Sequence, residues 1–122
     1  MADLSQEYLK ERLDYDPKTG LFTWKAYDGM SSQWNALYDG KPAFTYVRPN
    51  GYRTGRINGR LYRAHRVAWV ITHGYLPDQV DHINGVRGDN RIENLRSASN
   101  AGYPQNRKKQ SNDIRPSGAS EG

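Results

Sequence analysis

Cysteine is absent from the chain, which excludes disulfide staples and every zinc site built on thiolates. Long apolar runs are absent as well. No stretch reaches membrane-spanning length, and the opening MADLSQEYLKERL lacks the apolar core of a secretion signal. An intracellular protein with no membrane partner is the expectation. Hydrophobic residues make up only 35% of the sequence, so the core is expected to lean on three Trp and nine Tyr, large apolar bodies with polar handles. At 122 residues there is room for one domain and not for two comfortable cores.

Acidic residues are missing from one particular place. Between Arg48 and Arg66 the chain reads RPNGYRTGRINGRLYRAHR, six Arg without one Asp or Glu. The formal net charge of +5 is correspondingly lopsided: residues 1–46 carry −2 and residues 47–122 carry +7. A concentration of guanidinium groups of this kind suits phosphate contact, which makes nucleic acid the leading partner. A solvated arginine-rich hairpin face is the plainer alternative.

The hydropathy pattern divides the chain into short elements. Leu4 to Leu13 has apolar residues at near-helical spacing with Asp3 or Ser5 as a cap, predicting an amphipathic helix. DYDPKTGLFTWKAY places a turn before a strand at Leu21–Trp24, and DGMSSQWNALYDGKPA reads as a loop whose Trp34 and Tyr38 pack back on the core. GYRTGRINGRLYRA predicts two strands joined at Asn58-Gly59, with its arginines in a row on one face. AHRVAWVITHGYLP has a helical apolar stripe stopped by Gly74 and Pro77, the expected core helix. Gln79 to Ile83 is extended, NGVRGDN is a turn-rich loop with a cap at Asp89 or Asn90, and Leu95 to Ala98 pairs back as a strand. A final helix from Ser99 or Asn100 runs toward Lys109, weakened at its start by Gly102 and Pro104. After Gln110 the polar tail is expected to be disordered.

The chemistry-bearing stretch is VDHINGVRGDNRIENLRSASNAGYPQNRKK, Val80 to Lys109. Taken alone, Asp81-His82 is a surface pair in a turn, Asn94 a loop cap, and Asp89 and Asn90 turn formers. His65 and His73 lie eight apart on one helix, about 12 Å along its axis, so they cannot share a metal and read as packing or hydrogen-bonding residues. In context the same stretch could hydrolyse a phosphodiester. That reaction needs a base that activates water and positive charge to offset what builds on the phosphate.

DHINGVRGDNRIENLR followed by NRKK resembles the HNH endonucleases, specifically the cysteine-free phage and homing type. LDYDPKTGLFTW and GRLYRAHRVAW resemble the N-terminal half of small phage HNH proteins. The resemblance implies an α+β fold: one small domain with an N-terminal helix and β-hairpins, a core helix, and a C-terminal ββα-metal motif. Residues 1–46 would pack on the core, residues 47–110 would hold the basic hairpin, core helix and motif, and residues 111–122 would form the tail. It implies that His82 is the general base, that Asn94 braces the loop carrying it, and that Asp81 ligates Mg²⁺ or Mn²⁺. The last metal position falls on Tyr103, a poor ligand for a hard ion, with Asn100 or Asn106 about one helical turn away as replacements. DNA would be met by Arg53, Arg56, Arg60, Arg63, Arg96, Arg107, Lys108 and Lys109, in the cytoplasm of a phage-infected host. A DNA-binding module with weak or no cleavage is the alternative that Tyr103 raises.

Overall fold

The computed structural model describes residues 5–98. Ser5 sits in extended backbone, and its hydroxyl accepts from Tyr8 N at 3.1 Å, which starts helix α1 (Gln6–Arg12) as a side-chain cap. The chain turns directly into a hairpin, β1 (Leu13–Asp16) against β2 (Leu21–Trp24), pairing Tyr15 with Phe22. Strand β1 was not expected from the sequence. Pro17 to Gly20 makes the turn, where Gly20 takes φ +78° and donates to Asp16 O at 2.7 Å. Strand β2 also pairs with the short β3 (Pro42–Ala43).

The segment read as a loop contains a helix, α2 (Ser32–Tyr38). Ser31 caps it by accepting from Trp34 N at 3.0 Å, and Asn35 exchanges two hydrogen bonds with the backbone of Tyr27 at 3.0 Å each. No residue of α2 is buried, and this explains why it carries no apolar stripe to read. Trp34 does pack inward, edge-on to Trp24, while Tyr38 stays exposed.

A second sheet joins β4 (Tyr46–Val47), β5 (Arg53–Ile57) and β6 (Arg60–Arg63) in that order, all antiparallel. Asn58 and Gly59 form the predicted tight turn with φ of 54° and 82°. The register opposes Thr54 to Arg63 and Arg56 to Leu61. Cross-strand partners share a face and neighbours alternate, so Arg56 and Arg63 lie on one face, Arg53 and Arg60 on the other. The expected single row is therefore split in two.

Helix α3 (Ala64–His73) follows at once and ends where Gly74 enters the left-handed region at φ 87°. Ala64, Val67, Ala68 and Ile71 are buried on the stripe that the sequence predicts, facing α1 and the second sheet. Val67 and Ile71 each contribute about 2 kcal/mol by leaving water. Gln6 Nε2 donates to Ile71 O at 2.9 Å and fixes α1 to the last turn of α3.

The buried centre of the N-terminal layer is a cation. Arg12 is 2% exposed, and its guanidinium lies 5.2–5.7 Å from the ring centres of Tyr8, Trp24, Tyr27 and Trp34. It donates to Tyr8 Oη at 2.8 Å and to Asn58 Oδ1 at 3.3 Å, while Asn58 Nδ2 donates to Tyr8 Oη at 2.9 Å. Aromatic faces thus replace a carboxylate as the partner of a desolvated charge.

Beyond α3 come β7 (Gln79–His82), a 3₁₀ turn at Ile92–Asn94 and β8 (Leu95–Ala98), with β7 and β8 forming a two-stranded sheet. The chain divides into two compact units, residues 1–76 with 82–96, and residues 77–81 with 97–122. The described part of the second unit is limited to 77–81 and 97–98. The expected final helix and disordered tail lie outside the described residues. The architecture is α+β, as expected.

Candidate functional site

The loop between His82 and the 3₁₀ turn is held by amides. Ile83 N donates to Asn94 O at 2.7 Å, and the Asn94 side chain then makes three further bonds. Its Oδ1 accepts from Asn84 N at 3.0 Å, and its Nδ2 donates to Asn84 Oδ1 and to Asp89 O at 2.9 Å each. Asn84 passes the tether on, accepting from Val86 N at 2.8 Å and donating to Asp89 Oδ2 at 2.9 Å. Neutral amides suit this role because each offers both donors and acceptors to a loop whose backbone groups have no ladder partner.

Asp89 closes the loop against Arg91 in a bidentate pair, 2.8 Å on both arms. That hydrogen bonding, supported by Asn84, holds its carboxyl well below the usual carboxylate range. The 3₁₀ turn is preceded by Arg91 and has no side-chain cap, so neither Asp89 nor Asn90 is the helix cap expected from the sequence. Asp89 is committed to Arg91, and Asn90 faces elsewhere.

Asn90 faces His82. It is 1% exposed, and its Oδ1 lies 2.8 Å from His82 Nε2. With its oxygen turned to the ring, and a carboxamide oxygen able only to accept, Asn90 favours the neutral tautomer with the proton on Nε2 and the lone pair on Nδ1. Two more rings adjoin His82: His65 at 4.8 Å and Tyr52 at 6.0 Å between centroids, with Tyr52 stacked on His65 at 5.1 Å. His65 is buried on α3, and its pKa is lowered to about 3, first by burial and then by His82, Arg66 and Arg63. It is a neutral wall beside His82 at ordinary pH.

Positive charge enters through Tyr52. The guanidinium groups of Arg63 and Arg87 stand 4.6 and 5.0 Å from its ring centre. Arg87 is further fixed by donating to Asn50 O at 2.9 Å. Arg63 belongs to the arginine-rich stretch that the sequence points at a polyanion, whereas nothing in the spacing of Arg87 and Tyr52 signals that they meet. Arg53 is half-buried beside Gly88 of the same loop. Arg56 belongs to another neighbourhood, donating to Gly59 O at 3.2 Å and lining a cavity of about 400 Å³ with Arg12, Trp34 and Tyr38. Arg60 and Arg96 are exposed. His73 packs on Trp69 with 4.1 Å between ring centroids, which bears out its reading as a packing residue.

For a metal ion the described residues are incomplete. Among them no group of three or more His, Asp or Glu side chains gathers in a way that could hold one. Asp89 has both oxygens on Arg91, and Asp81, a half-buried residue of the second unit, is one hard donor where a divalent ion asks for several. Tyr103, with Asn100 and Asn106, and the basic end at Arg107, Lys108 and Lys109 lie outside the described residues.

The site thus gathers an imidazole and, through Tyr52, two guanidinium groups. Residues 62–102, about a third of the chain, match the family model described as HNH endonuclease. Over that segment the chain is similar to HNH endonucleases, a likeness that suggests nuclease action in general. Searches of curated proteins and of solved structures gave no match to the chain.

Proposed function

We propose that the protein is a metal-dependent DNA endonuclease or nicking enzyme in which His82 is the general base. The observation that carries this reading is the 2.8 Å contact between His82 Nε2 and Asn90 Oδ1, inside the segment matching HNH endonucleases. With Nε2 committed, Nδ1 takes a proton from water, and the resulting hydroxide attacks phosphorus in line with the leaving oxygen. The family's products, a 5′-phosphate and a 3′-hydroxyl, follow when the leaving 3′ oxygen is protonated. Arg63 and Arg87, carried on Tyr52, offset charge on the phosphate as it passes through the transition state. Asn94 keeps the loop in register through its tethers to Asn84 and Asp89. Arg53, Arg56, Arg60 and Arg96, together with Arg107, Lys108 and Lys109, bind the DNA backbone. Mg²⁺ or Mn²⁺ would be held by Asp81 with a donor from Tyr103, Asn100 or Asn106, supplying charge stabilisation that the described side chains do not complete. The setting is the cytoplasm of a phage-infected host.

The test is nicking of supercoiled plasmid with and without Mg²⁺ or Mn²⁺. Nicking is expected only with the ion, and His82→Ala is expected to lower it at least a hundredfold. Equal nicking by that variant removes His82 as base. A second reading, a DNA-binding module on this scaffold, is favoured by Tyr103 standing where the family has a metal ligand. Plasmid binding without metal-dependent nicking would select it.

A further inference from the structure

Residues 62–102 account for the HNH match, yet the residue aiming the imidazole is held from outside them. Tyr15 Oη donates to Asn90 O from 75 residues away. Pro17 O accepts from Ile92 N at 3.0 Å, immediately past the loop. At the tip of the same hairpin, a Cβ built on Gly20 would stand 2.5 Å from Asn90 C and 2.6 Å from Arg91 N. Glycine is required there twice over, by its φ of +78° and by this approach. Three points of the β1–β2 hairpin thus clamp the backbone from Asn90 to Ile92, two of them at Asn90 itself, whose carboxamide faces His82.

We infer that the β1–β2 hairpin is a positioning element for His82: it fixes Asn90, and the Asn90 oxygen fixes the tautomer and tilt of the ring. This rests on the reading of His82 as base. Two features single out positioning over mere packing. Asn90 Nδ2 is buried and has no partner among the described residues, a feature that costs stability; an apolar residue of similar size would avoid it, and the gain from the amide is its oxygen on Nε2. Tyr15 is a persistent donor as well, because burial, with Asp16 and Asp89 nearby, raises its hydroxyl well above the ordinary phenol range.

The experiment uses the full chain labelled with ¹⁵N-histidine, with ring nitrogen shifts read at about pH 8, where an ordinary imidazole is neutral, alongside plasmid nicking in Mg²⁺. Wild type is expected to show His82 as the Nε2–H tautomer. Asn90→Leu should fold, lose that signature in favour of a mixture, and lower kcat roughly tenfold to a hundredfold with KM for plasmid within about twofold. Asn90→Asp keeps an acceptor and should restore the Nε2–H signature. Tyr15→Phe, which does not touch the imidazole and is mild enough to fold, should shift the ring signals in the same direction by a smaller amount. Gly20→Ala should do the same more strongly.

A wild-type Nδ1–H tautomer, or unchanged ring shifts and kcat in both Asn90→Leu and Tyr15→Phe, overturns the inference. If the variants move the tautomer while no protein nicks DNA, positioning stands and the endonuclease reading falls. If nicking depends on His82 and ignores Asn90→Leu, the endonuclease stands and the hairpin has no positioning role.

Discussion

Asn94→Ala is the sharpest test of the loop. The substitution removes three side-chain hydrogen bonds, from Asn84 N at 3.0 Å and to Asn84 Oδ1 and Asp89 O at 2.9 Å each. The backbone bond from Ile83 N to Asn94 O at 2.7 Å is untouched, so the register of the loop survives and the loss isolates the side chain. At about 1 kcal/mol for each net bond, the expected loss is roughly 3 kcal/mol. That is a large share of the roughly 5–15 kcal/mol stabilising a domain of this size, and would lower Tm by roughly 10 °C or more. Urea unfolding of wild type, Asn94→Ala, Asn84→Ala and the double variant measures it. The loss in the double variant should fall short of the sum of the two single losses by about 1 kcal/mol, because the bond from Asn94 Nδ2 to Asn84 Oδ1 is lost in both. A single-variant loss below about 1 kcal/mol, or strict additivity in the cycle, would refute the account of the loop as amide-braced.

Stability should also depend on pH through His65. Its folded pKa of about 3 lies below the ordinary 6.5, so between those values the unfolded chain binds more protons and stability falls as pH drops. From pH 6.5 to 5 this amounts to about 2 kcal/mol, and the urea midpoint of His65→Gln should lose that slope. The loss tied to Asp89, whose ordinary pKa is 3.8, lies at lower pH and stays separate. Replacing both Arg63 and Arg87 with Ala should reduce the salt slope of plasmid binding by roughly two phosphate contacts, read from log affinity against log salt; an unchanged slope would remove them from the DNA face. Gly59→Ala should cost about 1 kcal/mol in urea unfolding, because the turn holds that position at φ 82°.

What the sequence made legible followed from local signals. Asn58-Gly59 announced the hairpin, the stripe from Ala64 to Ile71 announced the core helix, and Gly74 ended it where expected. Helix α2 was illegible because it buries none of its residues and leaves no apolar period; the Ser31 cap was its one local sign. The arginine row failed on alternation, since positions 53 and 56 differ by an odd number along one strand. Order along the chain marks His82 and Asn94, whereas the local signal at Asn90 is that of a turn former. Its partners Tyr15 and Gly20 come from the far end of the fold, and no short-range pattern carries that information.

The Asn58-Gly59 turn is solvent-facing, the kind of tip that ordinarily frays first. Here Asn58 grips both Arg12 and Tyr8, so the outermost point of the basic hairpin is pinned to the first helix. The backbone that carries Arg56 on one face and Arg60 on the other is therefore held at its tip as well as at its base. The backbone entropy of holding that tip has already been lost in folding.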